Sequence, residues 1–226
     1  MSSESGVVNP STGPPTWCSF QGVTCDESST SLNYGSLERI DLMDAALIGS
    51  LPNSIGNFFN LNFINMAYNS LTGTIPNTIS TMTLLSSLLL DSNSIVGTIP
   101  DSIGSLTIMD ELSLSANRLT GTIPSTIILL TNLFTLQLST NLLTGTIPTD
   151  FSLLESLGVL DLSFNYLTMG IQRTLPLSTF SQSTLNFYFN FDISNNCFVF
   201  NYGRLSATVN HCRPTPQPTS RKKNSI

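Results

Sequence analysis

A 24-residue apolar pattern recurs six times in this 226-residue chain, starting at residues 37, 61, 85, 109, 133 and 157 without an insertion. The second copy shows it in full: Leu61-x-x-Ile64-x-Met66-x-x-Asn69-x-Leu71-x-Gly73-x-Ile75-Pro76. A fixed period of this length is typical of solenoids, in which one coil cannot bury its apolar face and must stack on its neighbours. We therefore expect six stacked coils rather than a conventional globular core.

Each column of the repeat has a structural interpretation. The L-x-x-L-x-L segment alternates apolar and other residues, which predicts a short strand with one buried face. An asparagine amide follows each of five strands and can both donate to and accept from buried backbone groups. The segment after the Gly-x-Ile-Pro ending predicts two more core columns: Ile55, Ile79, Ile103, Ile127, Phe151, and Phe58, Met82, Leu106, Leu130, Leu154.

The complete string, L-x-x-L-x-L-x-x-N-x-L-x-G-x-I-P, resembles the plant-type leucine-rich repeat through its Gly-x-Ile-Pro ending, over about residues 17–212. The segment Trp17–Asp26 is similar to that family's N-terminal cap, with Phe20 where the cap usually has tryptophan. The resemblance implies an α/β repeat solenoid: a right-handed superhelix with a parallel concave β-sheet and a mostly 3-10 or irregular convex side. The family includes receptor ectodomains and inhibitors of cell-wall-degrading enzymes.

The four cysteines lie outside the repeats, where a solenoid needs caps. Three pairings are possible, and proximity favours Cys18–Cys25 and Cys197–Cys212. Paired cysteines predict an extracellular or cell-surface location, whereas four reduced thiols would fit the cytosol. Residues 1–16 are polar and do not resemble a signal peptide. The caps outweigh that observation if the sequence is a partial gene product.

The chain divides into five segments on this interpretation. They are a disordered N-terminal segment (1–16), the N-terminal cysteine cap (17–36), six repeats with an irregular end (37–180), a last repeat with the C-terminal cap (181–212) and a Pro-rich basic tail (213–226). The pattern of the last repeat begins at Tyr188, seven positions later than the period would place it, so an insertion occupies the irregular region 168–187. This insertion is interpreted either as a cap adjustment or as a binding loop.

The charge and the apolar runs of the chain argue against two classes of function, nucleic-acid binding and membrane spanning. Only 10% of the residues are charged, and the net charge is −6. The repeats contain no basic stripe that could neutralise phosphates, which argues against nucleic-acid binding. The richest apolar run, residues 127–138, is too short and too interrupted to span a membrane.

Five positions of each coil are expected to project from the concave face. Seven of the chain's 14 acidic residues occupy these positions, together with one base, Arg39, and several large apolar side chains. Aromatic groups rimmed by acids are the composition of a protein-binding surface, so we expect a protein or peptide ligand, with a basic one favoured. The predicted ligand-binding residues are Phe63, Tyr68, Leu89, Asp91, Asp110, Glu111, Phe134, Gln137, Asp161 and Phe164.

Three other functions compete with this one. The first is inhibition of a secreted cell-wall-degrading enzyme. The second is ice binding, through threonine columns at Ser50, Thr74, Thr98, Thr122 and Thr146 and at Thr72, Thr120 and Thr144. The third, catalysis, is not expected: the only histidine is His211, and adjacent Asp110 and Glu111 should point to opposite faces of an ideal strand. We expect no cofactor and no metal, and oligomeric state stays open.

Overall fold

The computed structural model describes residues 16–26, 36–148, 150–168 and 191–192. The first strand of each coil joins one eight-stranded sheet. Its members, in spatial order, are β1 (Val23–Cys25), β2 (Leu37–Asp41), β4 (Phe63–Asn65), β6 (Ser87–Leu89), β8 (Glu111–Ser113), β10 (Thr135–Gln137), β12 (Val159–Asp161) and β14 (Phe191–Asp192). All neighbours are parallel except β1, which pairs antiparallel with β2.

The register of this sheet follows the sequence period. Leu88 lies opposite Ile64 on one side and Leu112 on the other, each one repeat away. The last pairing joins Leu160 to Phe191. Each of these two residues is the fourth of its repeat, which agrees with a further repeat starting at Tyr188. One repeat therefore adds one strand to the sheet, at a spacing of about 4.8 Å from its neighbour.

The rest of each coil is a short second strand followed by one 3-10 turn. The second strands are β3 (Ile48–Ser50), β5 (Ser70–Thr72), β7 (Val96–Gly97), β9 (Arg118–Leu119), β11 (Thr144–Thr146) and β13 (Tyr166–Thr168), which pair two by two. The 3-10 helices are Thr16–Ser19 in the cap, then Asn53–Asn57, Asn77–Thr81, Asp101–Ser105, Ser125–Leu129 and Phe151–Leu153. A proline precedes four of them at a φ between −64° and −76°, the range to which its ring is restricted.

The hydrophobic core is one continuous column inside the coils, made of leucine, isoleucine and methionine side chains and Phe151. Leu88, Leu112 and Leu136 are at most 1% exposed, because each has a coil above and below it. Phe58 departs from the predicted core column and is 44% exposed. Phe58 follows the 3-10 helix Asn53–Asn57, which is the first one in the repeats and packs against only one other, Asn77–Thr81, within the described residues. The described residues thus leave part of the core column of this end coil uncovered.

The asparagine column joins each coil to the one before it. Asn117 Nδ2 donates to the carbonyl oxygens of Leu90 (2.9 Å) and Leu114 (3.1 Å), and its Oδ1 accepts the backbone N–H of Ile95 (3.0 Å). Asn69, Asn93, Asn141 and Asn165 repeat this pattern. These amides satisfy backbone groups that the solenoid buries away from water.

The N-terminal cap contains the predicted Cys18–Cys25 disulfide. It holds the 3-10 helix Thr16–Ser19 beside β1, which covers the first edge of the sheet. Cys197 and Cys212, the other predicted pair, lie outside the described residues. The repeats, the parallel concave sheet and the 3-10 convex side confirm the predicted α/β repeat solenoid.

The predicted register of the threonine columns is wrong. The second strands pair two positions short of a full repeat, so Thr122 lies opposite Thr144 and Ser50 opposite Thr72. A residue of the first predicted column therefore lies opposite a residue of the second column in the next coil, not opposite its own equivalent. The hydroxyls of Thr72, Thr120, Thr144 and Thr168 each donate to a glycine carbonyl oxygen of the preceding coil.

Candidate ligand-binding face

Two rows of side chains project from the concave sheet, on either side of the buried leucine row. The first row is Arg39, Phe63, Ser87, Glu111, Thr135 and Val159. The second row is Asp41, Asn65, Leu89, Ser113, Gln137 and Asp161. Both rows are straight because every strand is in register, so the face is a rigid grid rather than a set of loops. We call this grid, with the residues that flank its strands, the concave face.

Phe63 is half-buried because Arg39 lies on it. The guanidinium carbon is 3.3 Å from the ring centroid, a cation–π contact, and the same guanidinium donates to Asp41 Oδ2 at 2.8 Å. The only base predicted on the concave face is thus already paired with an acid and an aromatic ring. A ligand that contacts Phe63 has to accommodate or displace Arg39.

Tyr68 and Phe164 lie at the bend that follows the strand in coils two and six. Their side chains are 56% and 54% exposed, and their φ values are +58° and +53°. The left-handed conformation turns the chain inward toward the asparagine and leaves these side chains outside the core. Four coils separate the two rings, about 19 Å at the usual strand spacing, so they form separate anchor points.

Phe134 lies at the opposite end of the strands, just before β10, and is 44% exposed. Its ring covers Gly158 of the next coil: a Cβ on that glycine would lie 2.5 Å from two ring carbons. Phe134 is therefore held flat against backbone while its other side faces solvent. The predicted aromatic residues share one face, but the structure does not bring them into a single cluster.

Asp91, Ser113 and Gln137 form a polar group at the centre of the concave face, beside half-buried Leu89. Ser113 donates its hydroxyl to Asp91 Oδ1 and lies 3.1 Å from Gln137 Oε1, while the N–H of Ser115 also donates to Asp91 at 2.9 Å. Burial raises the pKa of Asp91 above its ordinary value, although these hydrogen bonds act in the opposite direction. Sequence reasoning missed the role of the serines.

The signal for them was present in the repeat. Serine recurs at the same position in three successive coils, as Ser115, Ser139 and Ser163. Ser139 contacts the Ser115 hydroxyl at 3.0 Å, and Ser163 donates to Asp161 at 2.7 Å. A serine at this position contacts neighbouring carboxylates or another serine hydroxyl without filling the face.

Glu111 and Asp110 differ from expectation. β8 begins at Glu111, so Asp110 precedes the strand and is not separated from its neighbour by strand alternation. Partial burial raises the pKa of Glu111, and the nearby charges of Asp110 and Asp91 raise it further. Glu111 thus lies close to two other acids at the centre of the face.

Replacing Glu111 with glutamine should raise the melting temperature near neutral pH. The raised folded-state pKa means that folding favours the protonated acid. The stability from this group is therefore present below the ordinary pKa of glutamate and is lost as pH rises through the folded-state pKa. Thermal melts of E111Q and the parent should differ at about pH 7 and coincide at about pH 3.

Glu155→Gln is the matched control, because it removes the same charge from an exposed position on the convex side. An E111Q protein that melts lower than the parent at neutral pH would show that the carboxylate makes a stabilising contact instead.

The described residues contain no group of His, Cys, Asp or Glu that could hold a metal ion, and no helix among them is long and apolar enough to cross a membrane. His211 lies outside them.

Residues 108–167, 60–82 and 84–106 match the leucine-rich-repeat family. Among solved structures, the leucine-rich-repeat ectodomain of the receptor kinase SOBIR1 from Arabidopsis thaliana is 30% identical with a TM-score of 0.62. The match covers 67% of this chain and 86% of that ectodomain. The chain is a plant-type leucine-rich-repeat protein. No curated protein sequence matches it.

Two further solved structures that are similar to this leucine-rich-repeat protein belong to proteins that bind different things. The plant peptide hormone receptor RGFR1, solved in complex with RGF2, is 38% identical with a TM-score of 0.53, over 54% of this chain and 19% of the receptor chain. A plant ice-binding protein is 34% identical with a TM-score of 0.61, over 69% of this chain and 49% of that one. The chain thus spans about a fifth of RGFR1 and half of the ice-binding protein.

Proposed function

We propose that this chain is a non-catalytic recognition module that binds a protein or peptide on its concave face. The observation that carries the proposal is the grid itself: exposed Tyr68, Phe134 and Phe164 stand on a rigid sheet around a central acidic group. Rigid aromatic side chains lose little conformational entropy on binding, and fixed strands lose none. Similarity to a peptide hormone receptor supports a ligand of this class.

A basic ligand fits the charge of the face. Glu38, Asp41, Asp44, Asp91, Asp110, Glu111 and Asp161 lie on it, against Arg39, which already pairs with Asp41. Complementary charge would steer a Lys- or Arg-rich partner and discriminate against acidic ones. The aromatic anchors would then provide most of the affinity.

An extracellular or cell-surface location belongs to the same proposal. The Cys18–Cys25 disulfide is of the kind that persists in oxidising compartments. Similarity to a receptor-kinase ectodomain supports the same location.

We also propose that the chain does not catalyse a reaction, because of the side chains that its concave face presents. Its central acids, Asp91, Asp110 and Glu111, lie in an open sheet with no nucleophile–base pair beside them in the described chain. Ser113, the nearest hydroxyl, is 2% exposed and donates to Asp91. These groups are arranged to hold a surface in place, not to transfer protons to a substrate.

Affinity capture with two matched variants tests the proposal. The face variant changes Phe63, Tyr68, Phe134 and Phe164 to serine, and the control changes Phe59 and Tyr166, which are 61% and 62% exposed away from the face, to serine. From extracellular extract, we expect the parent and the control to retain a protein or peptide. The face variant should retain at least tenfold less of it, since each lost anchor costs about 1–2 kcal/mol.

Unchanged binding by a folded face variant would contradict the proposed face, and circular dichroism melts establish that it is folded. The identity of the captured molecule also tests the narrower enzyme-inhibitor hypothesis. A secreted cell-wall-degrading enzyme retained by the intact face would favour it, and a small basic peptide would not.

Ice binding stays a second candidate because a plant ice-binding protein is among the similar structures. The surface concerned is the second-strand side, where Thr122 pairs with Thr144 and Thr146 with Thr168. Ile48, Val96, Arg118 and Tyr166 interrupt the threonines of that side. Absence of a gap between freezing and melting points in solutions of the pure protein would rule this candidate out.

A further inference from the structure

The charge of this protein is divided sharply along the chain. Residues 1–168 contain 13 acidic residues and two arginines, a net charge of −11, whereas residues 169–226 contain one acid and six bases, a net charge of +5. Four of those six bases, Arg213, Arg221, Lys222 and Lys223, belong to the Pro-rich tail 213–226, which has no acid. Each of these two segments therefore contains few residues of the charge that is opposite to its own.

The described part of the chain confirms this imbalance on the concave face. Its two bases are Arg39, which pairs with Asp41, and Arg118, which lies exposed in β9 on the second-strand side. Asp110 is exposed at the centre of the face, and Asp44 is exposed at one end. Among the described residues, the ion pair on this face is Arg39–Asp41, and none joins a base to Asp91, Asp110 or Glu111.

We propose that the basic tail 213–226 binds the acidic concave face of its own chain. The occupant follows from charge complementarity, because this segment holds half of the chain's eight basic residues. Competition between the tail and a basic ligand would make the contact autoinhibitory. Only that consequence rests on the proposed function.

The dimensions of the two partners agree. Acids occur in coil one (Glu38, Asp44), at the centre (Asp91, Asp110, Glu111) and in coil six (Asp161). Five strand spacings, about 24 Å, separate coils one and six. Pro214, Pro216 and Pro218 favour an extended polyproline conformation of about 3.1 Å per residue. The eight steps from Arg213 to Arg221 would then span about 25 Å, so bases at the two ends of the tail can reach acids at the two ends of the face.

The contact is expected to be weak for each pair and effective only through tethering. An exposed ion pair contributes about 0.2–1 kcal/mol and is screened by salt. A segment on the same chain, however, has an effective concentration of about millimolar at its target. Several such pairs would keep the tail bound at low ionic strength and release it at high ionic strength.

Zero-length carbodiimide cross-linking of the oxidised full chain tests this proposal without any ligand. The reagent joins a lysine amine directly to a carboxylate that it touches, so only Lys222 and Lys223 report from the tail. In the monomer fraction, peptide mapping should show these lysines linked mainly to the acids of the concave face. Raising the salt from about 20 mM to about 500 mM should reduce the yield roughly tenfold, as the screening length falls.

Two variants provide matched controls. D110N/E111Q removes central acids of the face and should reduce the cross-links, whereas D101N/E155Q removes two exposed acids of the convex side and should not. Links to Asp101 and Glu155 as frequent as links to the face, links only between two molecules, or a yield insensitive to salt would each overturn the proposal. So would a tail that cross-links nowhere while the protein sediments with phosphatidylserine vesicles. None of these results bears on the capture experiment, so the two proposals fail separately.

Discussion

Replacing Asn117 with alanine should lower the free energy of unfolding by about 3–5 kcal/mol. The side chain is 8% exposed and connects three backbone groups of two coils. Alanine would leave the N–H of Ile95 and the carbonyl oxygen of Leu90 buried without this partner. Each stranded group costs about 1–3 kcal/mol, because water cannot replace the lost hydrogen bond.

Asn132→Ala is the matched control for this substitution. Asn132 is exposed, and its amide makes a single hydrogen bond, to Thr107 O at 2.9 Å. Its loss should cost less than about 1 kcal/mol, because water can solvate the freed carbonyl. Urea denaturation of both variants measures the difference, and equal midpoints would show that the asparagine column does not stabilise the stack.

Most of the fold could be predicted because the repeat has no insertions. A constant step of one repeat fixes which leucines are neighbours. The observed pairing of the central strand residues, from Ile40 to Leu160, follows that step throughout. Phe58 could not be assigned in the same way, because its column is buried only where a coil stacks on both sides. Burial at an end depends on the cap, which the period does not describe.

The prediction of the threonine register was wrong for a different reason. The sequence period gives the distance between equivalent residues, but it does not fix which residues of neighbouring second strands pair. Successive second strands pair two positions short of the repeat, which brings Thr122 opposite Thr144. Period alone therefore predicts the concave sheet, whose strands pair at the full repeat, better than the second strands.

The candidate site was predictable as a surface but not in its contacts. Alternation places Phe63 and Glu111 in one outward row, as the structure shows. It does not indicate that Arg39 covers Phe63 or that Phe134 lies on Gly158, because both contacts depend on rotamers across two coils. The distribution of anchors over separate points favours an extended ligand over a compact one.

A second large loss of stability is expected when Gly121, a glycine of the Gly-x-Ile-Pro ending, is replaced. Its φ is +76°, and a Cβ built there would lie 2.8 Å from the Thr98 Cγ2 of the preceding coil. Valine adds a branched side chain at a conformation that costs about 1–2 kcal/mol for an L-residue, and steric overlap adds about 1–3 kcal/mol. We therefore expect G121V to lose about 3 kcal/mol or more of unfolding free energy.

Thr122→Val introduces the same side chain one position later and is the control. Thr122 is exposed and already β-branched, so its replacement should change stability by no more than about 0.5 kcal/mol. Combining G121V with Thr98→Ala removes the nearest clashing methyl and should recover part of the loss, leaving the strain in φ. A double variant no more stable than G121V would show that the backbone conformation, not the contact between coils, is the reason for glycine in this column.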